Sequence, residues 1–286
     1  MKTKTTKNIL LIFLLATNSL FFAQYKVIYE MKWKADKKDS NFNKELCALV
    51  INKENTASFQ SLENFRRDSL QTTIVKEYFK NQKGNLRLPD DRTDAKFSSI
   101  IIKDRANKSI SLEEKLFTNV YITNCYQSLN WKLLNSTEPK IFGYSVKRAK
   151  LNFGGRNWTA FYTTEIPFPE GPYKFGGLPG LILKIYDDEL DYTFEIKGVT
   201  KEVNNLEERN FSYNTVNLTY KKWSLFWSKY KNQPSMIFEN LNTAETTFVI
   251  DGQDVNNKDV KASYDKREKI RLGYFDNPIE ITPSCK

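Results

Sequence analysis

The chain predicts a mainly β protein of the α+β class, a curved antiparallel sheet, half-barrel-like in outline, closed by a C-terminal aromatic helix. Three observations carry that expectation. Short runs of alternating apolar and polar residues recur from Tyr25 to Lys197, separated by Asn, Asp, Gly and Pro clusters. A proline- and glycine-dense stretch, Glu165 to Asp187, feeds one of the most apolar of these runs. Near the C-terminus, Trp223, Phe226, Trp227 and Tyr230 fall at helical spacing and form one aromatic stripe.

The chain begins with Lys2, Lys4 and Lys7, an apolar segment from Ile9 to Leu15, and Phe22-Ala23-Gln24. This is the order of a secretory signal peptide over residues 1–23, cleaved after Ala23. Asn8, Thr17, Asn18 and Ser19 leave too few apolar residues for the roughly 20 that a membrane span needs. The first cysteine, Cys47, is far from the cleavage point, so no lipoprotein anchor is expected. Residues 24–286 then form one β-rich domain, exported to the periplasm or the outer membrane. Loss of the three lysines takes the net charge from +10 to +7, an excess that favours anionic partners.

Tyr25 to Lys34 alternates with Tyr25, Val27, Tyr29, Met31 and Trp33 on one face. Leu46 to Ile51 and Thr56 to Gln60 follow across polar turns, completing a meander. Ser61 to Lys80 reads as a helix capped by Ser61, its apolar positions Leu62, Phe65, Leu70, Ile74 and Tyr78. Asn81 to Ala95 is loop chemistry. Phe97 to Lys103, Ser109 to Leu112, Val120 to Tyr126, Trp131 to Leu134 and Tyr144 to Phe153 are further strands. Gly154-Gly155 turns the last of these into Arg156 to Thr163, a hairpin signal. Leu181 to Tyr186 and Tyr192 to Lys197 make another hairpin. Thr219 caps the aromatic helix, which runs to Lys231. From about residue 251 the chain is polar and Asn-rich, a loose helix or mobile tail.

In the central stretch, Pro167, Pro169 and Pro172 each fix φ and remove a backbone donor, so neither helix nor central strand fits. Pro179-Gly180 suits the central positions of a type II turn. The motif Gly176, Gly177, Leu178, Pro179, Gly180, Leu181 and Ile182 is thus expected to be stiff backbone feeding a buried strand. As a phosphate cradle it lacks a Gly-Lys-Ser/Thr ending and a following helix.

Gly177-Leu178-Pro179-Gly180-Leu181-Ile182 is also the hexapeptide of the GLPGLI family, exported proteins of Bacteroidetes without an established function. The chain resembles that family beyond six residues, at Gly143-Tyr144, Lys147 to Ala149, Gly155-Arg156, Trp158-Thr159-Ala160 and Glu165-Ile166-Pro167. Asn277-Pro278-Ile279-Glu280-Ile281 is similar to its usual ending. Val146 stands where many members carry Cys, so no role for that thiol carries over. The resemblance implies an envelope protein with an outer-membrane TonB-dependent receptor as partner. It implies no activity.

The chain has no histidine, which removes Ser-His-Asp and Cys-His catalysis and every His-ligated metal site. No cofactor is implied, and nucleic acid is not an expected partner outside the cytoplasm. Cys47 with Cys125 is the disulfide to test first, with Cys285 exposed; buried free thiols are the alternative. Glu165, Glu170, Asp187 and Asp188 offer carboxylates for a His-independent hydrolase. Asp187-Asp188-Glu189 with Asp191 offers oxygen ligands to Ca²⁺, or simply a charged turn. Asp68-Ser69-Leu70 resembles a bacterial O-glycosylation acceptor. Arg156, Trp158, Tyr173, Lys174 and Phe175 form a candidate basic-aromatic binding surface. Alternatively, Tyr173 and Phe175 staple the loop to the sheet while Arg156 answers Glu165. An envelope binding or accessory protein comes first, with a carboxylate hydrolase and a structural envelope component as alternatives.

Overall fold

A computed structural model describes residues 24–52, 56–81, 94–117, 119–126, 128–136, 138–202, 214–239, 248–250 and 253–285. The expected signal peptide, residues 1–23, lies outside them. In chain order the elements are β1 (Gln24–Trp33), β2 (Asn43–Ile51), β3 (Thr56–Ser61), α1 (Leu62–Asn81), β4 (Ile100–Asp104), β5 (Ser109–Leu116), β6 (Asn119–Tyr126) and β7 (Lys132–Leu134). They continue with β8 (Lys147–Phe153), β9 (Arg156–Thr163), β10 (Leu181–Asp187), β11 (Tyr192–Glu202), β12 (Asn214–Leu218) and α2 (Tyr220–Asn232). A 3-10 turn (Pro234–Phe238), β13 (Phe248–Ile250), β14 (Gln253–Val255) and α3 (Asn257–Gly273) complete the described chain.

Twelve strands form one sheet in the order β12-β6-β5-β4-β3-β2-β1-β11-β10-β9-β8-β7, not closed into a barrel. Every pairing is antiparallel except β12 on β6, so the sheet is mixed at that edge. β1 is its spine, paired along its length with β2 and β11. The alternation read in β1 is the burial pattern: Val27, Tyr29, Met31 and Trp33 are sealed inside. Register shifts leave Lys197 of β11 unpaired opposite Ile28/Tyr29 and Leu183 of β10 unpaired between Ile182 and Lys184, and an extra residue of this kind bends its strand. The sheet curls far enough for the Tyr29 hydroxyl to donate to the Ile182 carbonyl, 2.6 Å away across the intervening β11. Gly154 and Gly155, with φ of +61° and +78°, make the tight turn between β8 and β9.

α1 lies against β2 and β3, so β2 buries Ala48 and Val50 as well as Cys47, Leu49 and Ile51. Its cap is as expected, the Ser61 hydroxyl accepting from the Glu63 N–H at 3.2 Å. Its buried face is not. Leu62, Asn64, Asp68, Gln71 and Thr72 face inward, while Leu70 and Phe79 are 52% and 65% exposed. The buried positions all lie in the first eleven residues of the helix, where Asp68 pairs with its helix neighbour Arg67 at 3.0 Å.

α2 begins where Thr219 predicts, its side chain accepting from the Lys222 N–H. The aromatic stripe does not cap the whole sheet. It closes one flank, where Tyr230 packs with Phe238 from the 3-10 turn, Tyr264 from α3 and Leu116 from β5. The polar stretch from 251 contains β14 and a capped helix, α3. That helix is fixed by a network in which Arg271 binds Glu114 on β5 and Glu268, and Glu268 accepts from the Tyr230 hydroxyl at 2.8 Å.

Candidate functional site

β9 ends at Thr163, and residues 164–180 return the chain to β10 as a knot of short hydrogen bonds. The Ile166 carbonyl accepts from Phe168 at 2.8 Å and Leu181 at 3.0 Å, and the Pro169 carbonyl accepts from Gly177 at 2.9 Å. The Glu170 carbonyl accepts from Ile182 at 2.9 Å. Pro179 and Gly180 do not form the expected type II turn. The Gly180 N–H closes back on the Leu178 carbonyl at 2.7 Å, a three-residue turn centred on Pro179, because the Leu181 N–H is already taken by Ile166. Gly180 has φ +150°, and a Cβ there would overlap the carbonyl oxygen of Thr163. Close backbone approach, more than turn type, sets the glycine requirement.

This loop lies over the concave face of the sheet and is anchored by a residue the sequence reading passed over. Lys103 projects inward from β4, and its Nζ lies 2.7 Å from Glu170 Oε2. The same ammonium donates to the carbonyls of Gly171 at 2.7 Å and Phe175 at 3.0 Å. Arg105 approaches the other oxygen of Glu170 at 3.4 Å. Burial lowers the pKa of Lys103, and the Glu170 charge works against that fall. A charged residue at an inward position of an alternating strand was the available signal: Ile101 and Lys103 share a face. Trp131 holds the far side of the loop by donating to the Gly176 carbonyl at 2.8 Å.

Between the β4–β5 turn and this loop is a cleft of about 270 Å³. Ile110, Leu129, Pro169, Gly176 and Gly177 line it together with Lys103, Asp104, Arg105, Lys108, Ser109, Glu170 and Lys174.

The five residues read as a binding surface are not presented to solvent. Arg156, Trp158, Tyr173, Lys174 and Phe175 are all buried. The reason is the C-terminal segment, which lies across them as a strap. Arg156 Nη1 binds Asp187 at 2.8 Å and Asp191 at 3.2 Å, and Nη2 binds Asn277 and the Pro278 carbonyl. Tyr173 and Lys174 both reach Glu280, the latter at 2.6 Å. Phe175 packs on Trp158 with ring centroids 4.7 Å apart. Tyr173 and Phe175 therefore staple the loop. Arg156 answers Asp187 and Asp191 in place of Glu165, which is exposed and accepts from the Ser145 N–H at 2.8 Å.

The carboxylates do not assemble a hydrolytic pair in the cleft. Glu165 and Asp188 face solvent, Glu170 is held by Lys103, and Asp187 and Asp191 converge on Arg156 beneath the strap. Burial pushes the Asp187 carboxyl above its usual range, against the Tyr192 N–H and Arg156. Burial also works to raise Asp191, but hydrogen bonds from Asn277 and Arg156 outweigh it and hold that group below its usual value. Of the oxygen ligands considered for Ca²⁺, Asp187 and Asp191 are taken by Arg156 while Asp188 and Glu189 are exposed, and among the described residues no group of three His, Cys, Asp or Glu side chains could hold a metal. In the Asp68-Ser69-Leu70 tripeptide, Asp68 is buried within α1.

The disulfide also differs from the expected one. Cys125 on β6 is joined to Cys285, with Cα atoms 5.2 Å apart, and Cys285 is buried. Cys47 is a buried free thiol facing the core, where burial raises its pKa well above the ordinary value. The two ends of the pair are 160 residues apart, so nothing local in the sequence couples them.

Residues 154–184, the span from the β8–β9 turn through the loop into β10, match a family model described as a protein of unknown function (Porph_ging). No curated protein matches the chain. Among solved structures, PNGF-II in the P21 space group is similar over 73% of this chain and 34% of its own, at 18% identity and a TM-score of 0.51. PNGF-II in the C2 space group is similar over 73% and 33%, at 17% identity and a TM-score of 0.50. The chain thus spans about a third of the length of those proteins, and the likeness is one of β-rich fold.

Proposed function

We propose that this chain is an exported binding or accessory protein of the cell envelope, of the GLPGLI type, acting with an outer-membrane TonB-dependent receptor. The observation that carries the binding part is the cleft beside the motif loop, a concavity lined by apolar Ile110, Leu129 and Pro169 together with charged side chains, in which Glu170 is held by Lys103. Concave sites with mostly apolar walls and a few placed polar groups are where small ligands bind. A carboxylate hydrolase loses support, since Glu165 is bonded to the Ser145 amide and Asp187 is buried on Arg156. Residues 1–23 and the resemblance at the motif and the C-terminal Asn277-Pro278-Ile279-Glu280-Ile281 support the envelope part.

The test is recovery of the tagged protein from fractionated native cells, with N-terminal sequencing and identification of what co-purifies. A chain beginning at Gln24, in periplasmic or outer-membrane fractions together with a receptor, is the expected result. A cytosolic chain retaining Met1 and bringing down no envelope protein would refute it.

A further inference from the structure

The outer face of the sheet, opposite the motif loop, carries one row of residues whose charges the fold does not balance. Lys132 on β7 stands directly opposite Lys150 on β8. At the other end of the same row, Lys32 on β1 stands directly opposite Lys44 on β2. Between the two lysine pairs the row runs through Thr159, Tyr186 and Thr193. Cross-strand partners share a face, and like charges directly opposite one another destabilise a sheet. No carboxylate stands in the row to offset them. The carboxylates of the adjacent row are already matched, Glu195 with Lys184 at 3.7 Å and Glu30 with Lys197 at 3.5 Å. Arg148, also in that row, meets Glu138 at 3.0 Å. Among the described residues no ion pair reaches Lys132, Lys150 or Lys44. Lys32 lies over the Phe42 ring at 4.0 Å, a contact that leaves its charge in place. α1 covers the outer face at β2 and β3, and beyond it Lys132, Lys150 and Lys44 are exposed.

From this pattern we infer that the outer face binds an acidic polysaccharide, a chain of sugars bearing carboxylates, laid across the strands. Its carboxylates meet the lysine pairs at the two ends and relieve both like-charge contacts. Midway, Phe161 and Tyr186 stand half-buried with ring centroids 6.0 Å apart. Such rings give the apolar faces of sugars a surface to lie on. The hydroxyls of Tyr186 and Thr193 can donate to or accept from those of the sugars. The row crosses the seven strands from β7 to β2, and at about 4.8 Å per strand it spans about 29 Å. The ligand is therefore an extended chain of several sugars. Half-buried rings offer nothing to insert among acyl chains, which favours a polymer over a bilayer. This surface lies on the opposite side of the sheet from the cleft, and binding there goes beyond the envelope reading, needing neither a receptor nor export.

The test is titration of the purified protein, by calorimetry and amide NMR, with four probes: galacturonate oligomers, the same oligomers methyl-esterified, poly-glutamate, and phosphatidylglycerol vesicles. The galacturonate oligomers are expected to saturate and to move the signals of Lys32, Lys150, Tyr186 and Thr193, with the other three each at least about tenfold weaker. Lys132→Gln/Lys150→Gln and Lys32→Gln/Lys44→Gln are each expected to weaken binding about tenfold, the scale of two exposed charge contacts. Both should melt at or above the parent's temperature, since each removes a like-charge contact. Lys221→Gln/Lys222→Gln removes the same charge from exposed positions on α2 and is expected to leave the affinity in place. Equal binding of the ester would show that charge is not read, and equal binding of poly-glutamate that the sugar is not. Equal or tighter binding of vesicles would assign the face to a membrane surface. Each of these overturns the proposal. So does an α2 variant as weak as the row variants, row variants that bind like the parent or melt below it, or the absence of saturable binding. None of these results bears on co-purification with a receptor, so a failure here and a failure of the envelope reading are separately visible.

Discussion

Replacing Gly180 by alanine tests whether the motif is a structural clamp. A Cβ at this position would lie 2.7 Å from the carbonyl carbon of Thr163 and 3.1 Å from the Cα of Thr164, and would overlap the Thr163 oxygen. These are backbone atoms at the end of β9, so no side-chain rotation relieves the contact. Forcing an L-residue into positive φ costs about 1–2 kcal/mol, and overpacking a dense interior adds about 1–3 kcal/mol. The expected loss is therefore about 2–5 kcal/mol. In a protein of this size each kcal/mol moves the melting temperature by roughly 2–4 °C, so a drop near 10 °C is expected. Gly177→Ala is the internal control: its φ is +83°, but no atom lies within 4 Å of the added carbon. It should lose only the conformational part, about 1–2 kcal/mol. Calorimetry on both variants, with urea midpoints as a second measure, gives the ranking. Equal effects of the two, or a Gly180→Ala protein as heat-resistant as the parent, would refute the close-approach argument.

Lys103→Met strands the Glu170 carboxylate in a buried site and should cost about 3–5 kcal/mol by urea unfolding, with Lys103→Met/Glu170→Leu recovering most of it; a loss under 1 kcal/mol would show that Arg105 suffices. Reducing Cys125–Cys285, or Cys285→Ser, frees a loop closed over 160 residues and should cost about 2–5 kcal/mol, read as a shift in denaturant midpoint with and without dithiothreitol. Acid should loosen the strap. Burial tends to raise Glu280, but Lys174, Ser284 and Tyr173 outweigh it, so Glu280, like Asp191, titrates below its usual value. With folded values depressed, the stabilisation from both groups is present above about pH 4 and disappears as pH falls through the folded values. Asp187, raised by burial, shifts the other way and offsets part of this. Amide exchange at Asn277, Ile281 and Thr282, which donate to Ala35 and Gly154, reports the loosening; protection unchanged between about pH 7 and pH 3, relative to the β1 amides, would contradict it.

Local geometry was legible from the residues alone. Period-two alternation marked β1, β8 and β9, Gly154-Gly155 marked their hairpin, Thr219 marked the start of α2, and the prolines marked an irregular loop before β10. Each of these is written within a few consecutive residues, since side-chain direction and turn chemistry depend on near neighbours. What faces what was decided elsewhere. The helical pattern of α1 could not say that its buried positions would all lie in its first eleven residues. Tyr173 and Lys174 look like surface chemistry until a strap more than a hundred residues later covers them with Glu280. Cys125 found Cys285, Arg156 found Asp187 and Asp191, and Lys103 found Glu170 across four intervening strands. Those partnerships depend on how far the sheet curls and where the chain end returns. That is set by packing of the whole core, which no window of neighbouring residues contains.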